Sequence, residues 1–172
     1  YTSERSRFNV NDLGVNLGFK YKKCDWATDI GASYIGNFAD SLGLQINTAS
    51  PSAGFIGFGS TFESEQLEYR VPGLDGHGNF SFGSYRLFLE YVGAMKAFSR
   101  NNLYFNDHGA TPRSANIEGA YKFNICKFPS SFAVGYARTW ESFALNLPEQ
   151  RYNATFNISF LKDTIASLEY RH

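Results

Sequence analysis

From Asn11 to Arg171, apolar residues recur at every second position in short runs, and the runs are joined alternately by a very short turn and a long polar loop. Successive side chains of a strand point to opposite faces, so this alternation constrains the chain to pleated strands with one apolar and one polar face. The run from Asp12 to Lys22 is the clearest: Leu13, Val15, Leu17, Phe19 and Tyr21 alternate with Gly14, Asn16, Gly18, Lys20 and Lys22. The 11 Tyr, 17 Phe and 16 Gly suit strands and tight turns better than helices.

The pattern predicts strands over 12–22, 26–36, 73–82, 86–95, 113–124, 131–141, 151–161 and 164–171. With this division the short turns 23–25, 83–85, 125–130 and 162–163 all fall on one side, and the long connections 37–72, 96–112 and 142–150 on the other. Outer-membrane barrels have this asymmetry, an even strand count, and strands near the roughly 9–11 residues that cross a bilayer tilted. The expected fold is therefore an all-β, antiparallel, up-and-down transmembrane β-barrel, with about eight strands visible, in a single domain over 1–172. Small inward residues such as Gly31, Ser33, Ala120, Ala133, Gly135 and Ser159 suggest that the visible strands are part of a larger barrel. Tyr21, Trp26, Phe123, Phe132 and Phe160 are expected to form an aromatic girdle near the short turns, and Tyr34, Tyr91, Trp140 and Tyr152 the opposite one.

A soluble sandwich also alternates, but it keeps its charged face in water. Here the polar faces are rich in Gly, Ala, Ser, Asn and Thr with little charge, which suits a lumen. No apolar run approaches the roughly 18 residues of a helical span, so a membrane-crossing chain of this composition crosses with strands. The 16 Lys+Arg balance 16 Asp+Glu, which argues against nucleic acid as a partner, because phosphate backbones demand a basic surplus.

No cofactor or metal set is read from the chain. Cys24 and Cys126 lack any C-x-x-C neighbour, so a zinc site is not expected. Both fall in short turns, and a bridge between them requires Cα atoms within about 7 Å. Gly54-Phe55-Ile56-Gly57-Phe58-Gly59 lacks the Lys and helix of a phosphate loop; the long connection that contains it is a candidate plug or cap.

The candidate pore-lining residues are Asp29, His77, Arg86, Glu90, Glu118 and Lys122, with Glu169 and Arg171 also directed inward. Inward charges of both signs set pore selectivity. Asp75, His77, Asn79 and Ser81 share one strand face, which raises a hydrolase as a third reading after a porin and a structural or adhesive barrel presenting its loops. Residues two apart on one strand run side by side and seldom converge on one reacting atom, so an enzyme is not expected.

Several phrases occur in a fixed order: Asn37-Phe38-Ala39-Asp40-Ser41-Leu42-Gly43-Leu44-Gln45, Tyr69-Arg70-Val71-Pro72, Leu89-Glu90-Tyr91-Val92-Gly93-Ala94, Asn106-Asp107-His108-Gly109-Ala110-Thr111-Pro112, Leu145-Asn146-Leu147-Pro148-Glu149-Gln150-Arg151-Tyr152 and Ser167-Leu168-Glu169-Tyr170-Arg171-His172. In these the chain resembles the LbtU-type siderophore porins of Legionella and related bacteria, over nearly its whole length. The resemblance implies a barrel in the bacterial outer membrane, in contact with the lipid bilayer, that helps take up a small-molecule iron chelate; it does not imply an energised plug-domain design. Members of that family are longer, so the resemblance also implies closing strands and upstream strands with a periplasmic segment beyond the visible ones.

Overall fold

The computed structural model describes residues 13–38, 68–100, 102–142, 147–161 and 164–172. Most of connection 37–72, with its glycine-rich stretch, and the turn 162–163 lie outside them.

The described residues form strands and no helix. They are β1 (Gly14–Lys23), β2 (Trp26–Ile35), β3 (Gly73–Phe82), β4 (Tyr85–Ala94), β5 (Tyr104–Phe105), β6 (His108–Gly109), β7 (Arg113–Ile125), β8 (Phe128–Trp140), β9 (Gln150–Leu161) and β10 (Thr164–Arg171). Eight of them make one antiparallel sheet in the order β1-β2-β3-β4-β7-β8-β9-β10. The sheet is an up-and-down meander and is not closed, since β1 and β10 do not pair. The expected all-β antiparallel architecture is present, while closure into a barrel is not.

The hairpins are tighter than the sequence suggested. Lys23 faces Trp26, Phe82 faces Tyr85 and Ile125 faces Phe128, so two residues make each of these turns. Such turns demand left-handed backbone, supplied by Gly83 (φ 54°) but also by Cys24 (φ 44°), Cys126 (φ 49°) and Lys127 (φ 75°). The expected six-residue turn 125–130 contracts to Cys126-Lys127 because Pro129 lies inside β8, opposite Asn124. The residues flanking a two-residue turn form a hydrogen-bonded pair and the next pair does not. Pro129 therefore needs no N–H toward β7, and β9 begins to pair only at Ser130.

The short turns lie at one end of the sheet and the long connections at the other. Among the described residues, that second end carries the packed core: Val71, Ala94, Phe98, Leu103 and Ala110, with Phe38 and Phe105 against them. Connection 96–112, expected to be loop, folds back as the hairpin β5-β6 through Asn106 and Asp107, both at positive φ. Backbone bonds from Phe98 to Ala110 and from Ala110 to Leu103, each 2.8 Å, hold it as a small cap.

Between the ends the sheet has no such core. Cross-strand partners share a face, so the register sorts every strand residue. One row reads Phe19, Ile30, Gly78, Leu89, Ile117, Tyr136, Tyr152 across seven strands, without a charge. This apolar face stands exposed, from Leu17 at 78% to Leu89 at 36%. On the other face Ala27, Asp29, Gly31 and Ser33 are half-buried while Trp26, Ile30, Ala32 and Tyr34 beside them are exposed. This asymmetry is that of a sheet curved with its polar face on the hollow side. All nine expected girdle aromatics lie on the apolar face.

Candidate functional site: the polar face of the sheet

The sequence places Asp29, His77, Arg86, Glu90, Glu118 and Lys122 on four strands, β2, β3, β4 and β7, and the register gathers all six on the polar face. Asp29 shares a row with Asn79, Phe88 and Glu118; His77 sits between Gly31 and Glu90; Arg86 lies between Ser81 and Ala120; Lys122 faces Ser131. Asp29, His77 and Glu118 are half-buried, whereas Arg86, Glu90 and Lys122 are exposed.

His77 owes its position to a missing side chain. Gly31 lies directly across, and a Cβ there would come 2.6 Å from His77 Cε1. With that space open, His77 Nε2 lies 3.9 Å from Asp29 Oδ1, and Lys20 Nζ approaches the same carboxylate at 3.1 Å. Arg86 donates from Nε to Asn79 Oδ1 at 3.1 Å. Among the described residues, Glu90, Glu118 and Lys122 have no ion pair, so their charges are directed into the hollow.

Hydrogen-bonded polar groups tie the same face together. Asn16 donates to Ser33 at 2.9 Å, and Ser33 to Asp75 at 3.3 Å. Ser167 donates to Asn157 at 2.6 Å, and Asn157 to Ser131 at 3.3 Å. These ladders, which single-strand reading missed, each span three strands; only the register reveals them. Gly31, Ser33, Ala120, Ala133, Gly135 and Ser159 keep the remaining surface low. Glu169 and Arg171 share this face but pair with each other, at 2.6 and 3.0 Å, on the edge strand β10.

The hydrolase constellation does not assemble. Asp75, His77, Asn79 and Ser81 do share the face, but Asp75 bonds Ser33 and Asn79 bonds Arg86. Among the described residues, no hydroxyl is hydrogen-bonded to His77, so no nucleophile and base pair forms. No cluster of three or more metal-ligating side chains occurs among the described residues. Cys24 and Cys126 are free, exposed thiols in separate hairpins. Their turns are separated by β3 and β4, at about 4.8 Å per strand, which rules out the approach a bridge requires.

No protein-family model matches the chain, and no solved structure matches it. Curated relatives do. Over most of its length the chain resembles UPF0422 proteins. One from Legionella pneumophila (strain Philadelphia 1) is 40% identical over 160 residues, 92% of this chain and 30% of the relative. One from the Paris strain is 41% identical over 160 residues. One from Coxiella burnetii is 34% identical over 173 residues, 99% of this chain and 35% of the relative. The chain thus spans about a third of the length of the curated relatives it matches. Their designation names no activity.

Proposed function

We propose that this sheet is part of the wall of an outer-membrane β-barrel porin that facilitates uptake of a ferric siderophore or similar polar solute. The observation that carries the reading is the inverted faces: the broad apolar face is exposed, and the polar, sparsely charged face is the hollow one. Water-soluble monomers leave contiguous apolar patches of only about 300–600 Å². A face studded with Leu17, Phe19, Trp26, Phe82, Tyr85 and Leu168, all more than half exposed, suits lipid. The cap at the long-connection end keeps an ordinary buried core, as expected of a part that sits in water.

On this reading strands outside the sheet complete the wall, because eight strands closed on themselves leave an interior that side chains fill. The low polar face suits a wider, water-filled barrel. Glu90, Glu118, Lys122 and Arg86 would then meet the solute with both signs of charge, which favours a zwitterionic or polar chelate over a simple ion. The resemblance to LbtU-type porins supports iron chelates as the solute class. The packed cap favours a second reading, a structural or adhesive barrel that presents its loops.

Reconstitution of the full-length protein in planar bilayers separates the two. Channel steps and flux of a ferric chelate are expected of the porin. Sealed bilayers with a protein that still inserts would refute it and leave the loop-presenting barrel.

A further inference from the structure

On the apolar face a groove of about 760 Å³ opens where Gly76, Gly78 and Ala115 lack bulk, bordered by Ile30, Phe80, Leu89 and Ile117. That volume lies within the range of sites that hold small organic ligands, roughly 300–1,000 Å³. Its end toward the long connections is made by Tyr136, Arg138 and Trp140.

Arg113 and Arg138 are the anomaly of this face, whose strand residues otherwise carry a charge only at Lys23, at the short-turn end. Arg113 faces Trp140 and Arg138 faces Ala115, so the two arginines occupy diagonal positions about 7–8 Å apart. Arg138 Nη2 stands 3.9 Å from Glu149 Oε1, well beyond the roughly 2.7–2.9 Å of a charge-assisted hydrogen bond. Its Nε is buried without a partner, and its guanidinium lies 5.3 Å from the Trp140 ring centroid. Arg113 has no ion pair among the described residues. Neighbouring cations with unfilled donors call for a multivalent anion, and the guanidinium fork matches phosphate. Below them the groove is apolar.

We propose that this groove binds a phosphate-bearing membrane lipid, with its phosphate on Arg138 and Arg113 and an acyl chain in the trough over Gly76. The inference rests on the reading that the apolar face meets a bilayer. It fits that reading in depth, because Trp140, the last residue of β8, is of a type enriched at the membrane interface, where headgroups lie and arginines direct their charge.

The test purifies the full-length protein in detergent from its own membrane and measures co-purifying phosphate-bearing lipid by native mass spectrometry. Wild type is compared with the double variant Arg113→Gln, Arg138→Gln and with Gly76→Leu. A Cβ at Gly76 meets nothing nearer than Gly31 O at 3.9 Å, so the leucine enters the trough without a backbone clash. Retained lipid is expected in wild type, and a fall of roughly tenfold or more in both variants, as loss of charged hydrogen bonds or of the trough implies. Heat-dependent gel mobility is expected to be unchanged in all three. Equal retention by wild type and the variants, or no lipid on a heat-shifted wild type, overturns the lipid site and leaves the barrel reading standing. A wild type without any heat shift sinks both.

Discussion

Replacing Ile117 by arginine separates a lipid-facing apolar face from one that merely lies in water. Ile117 is 45% exposed and lies well inside β7, with Leu89 and Tyr136 as cross-strand neighbours. A surface position in water tolerates such a change within about 0.5 kcal/mol, and the long arginine stem even covers apolar neighbours. Facing the bilayer midplane, the same arginine costs about 2–4 kcal/mol. At about 1.4 kcal/mol per tenfold, that is a fall of roughly 30- to 700-fold in the folding equilibrium. The control is Asn116→Arg, one residue away on the polar face. Urea titration of the full-length protein in phospholipid vesicles reads both. The expected result is a large loss of stability for Ile117→Arg and little for Asn116→Arg. Equal, small effects would refute the assignment of this face to lipid.

Three further outcomes follow from the geometry. Leu103→Ala removes a fully buried side chain from the cap and is expected to cost about 2–5 kcal/mol locally, read as faster amide exchange over 96–112 with the sheet's protection unchanged. Gly31→Val places atoms where the His77 ring lies; it is expected to displace the imidazole from Asp29 and change ion selectivity, and an unaltered reversal potential would count against His77 as a lining residue. Cys24 and Cys126 are expected to react with maleimide without prior reduction, both from the short-turn side; thiols appearing only after reductant would contradict the free state.

The strands and their sides were legible because alternation is a local signal that each strand carries alone. It placed all eight strands of the sheet within a few residues, and it put the six candidate lining residues on one face before any pairing was known. The errors arose where a local rule met a longer-range one. Pro129 reads as a turn residue, yet it sits in β8 at a position where no ladder bond is required. The cap hairpin is signalled by Asn106-Asp107, but its reason for folding is burial of Phe98 and Leu103 against Val71, which lies beyond a long connection. The approach of His77 to Asp29 across Gly31, and the Asn16-Ser33-Asp75 and Ser131-Asn157-Ser167 ladders, depend on register between strands. So does the juxtaposition of Arg113 and Arg138 beside an apolar groove, since the parity of each strand puts its own arginine on the apolar face but only the register sets the two diagonally side by side.

The central claim is that the exposed apolar face meets lipid and the polar face meets water. It is tested most directly by spin labels placed singly at 114–121 along β7, in a full-length protein with Cys24 and Cys126 replaced by serine and reconstituted in vesicles. The account predicts collision with dissolved oxygen at 115, 117, 119 and 121 and with a water-soluble nickel chelate at 114, 116, 118 and 120, a strict period of two. Chelate access at every position, or oxygen preference at the even ones, would contradict it.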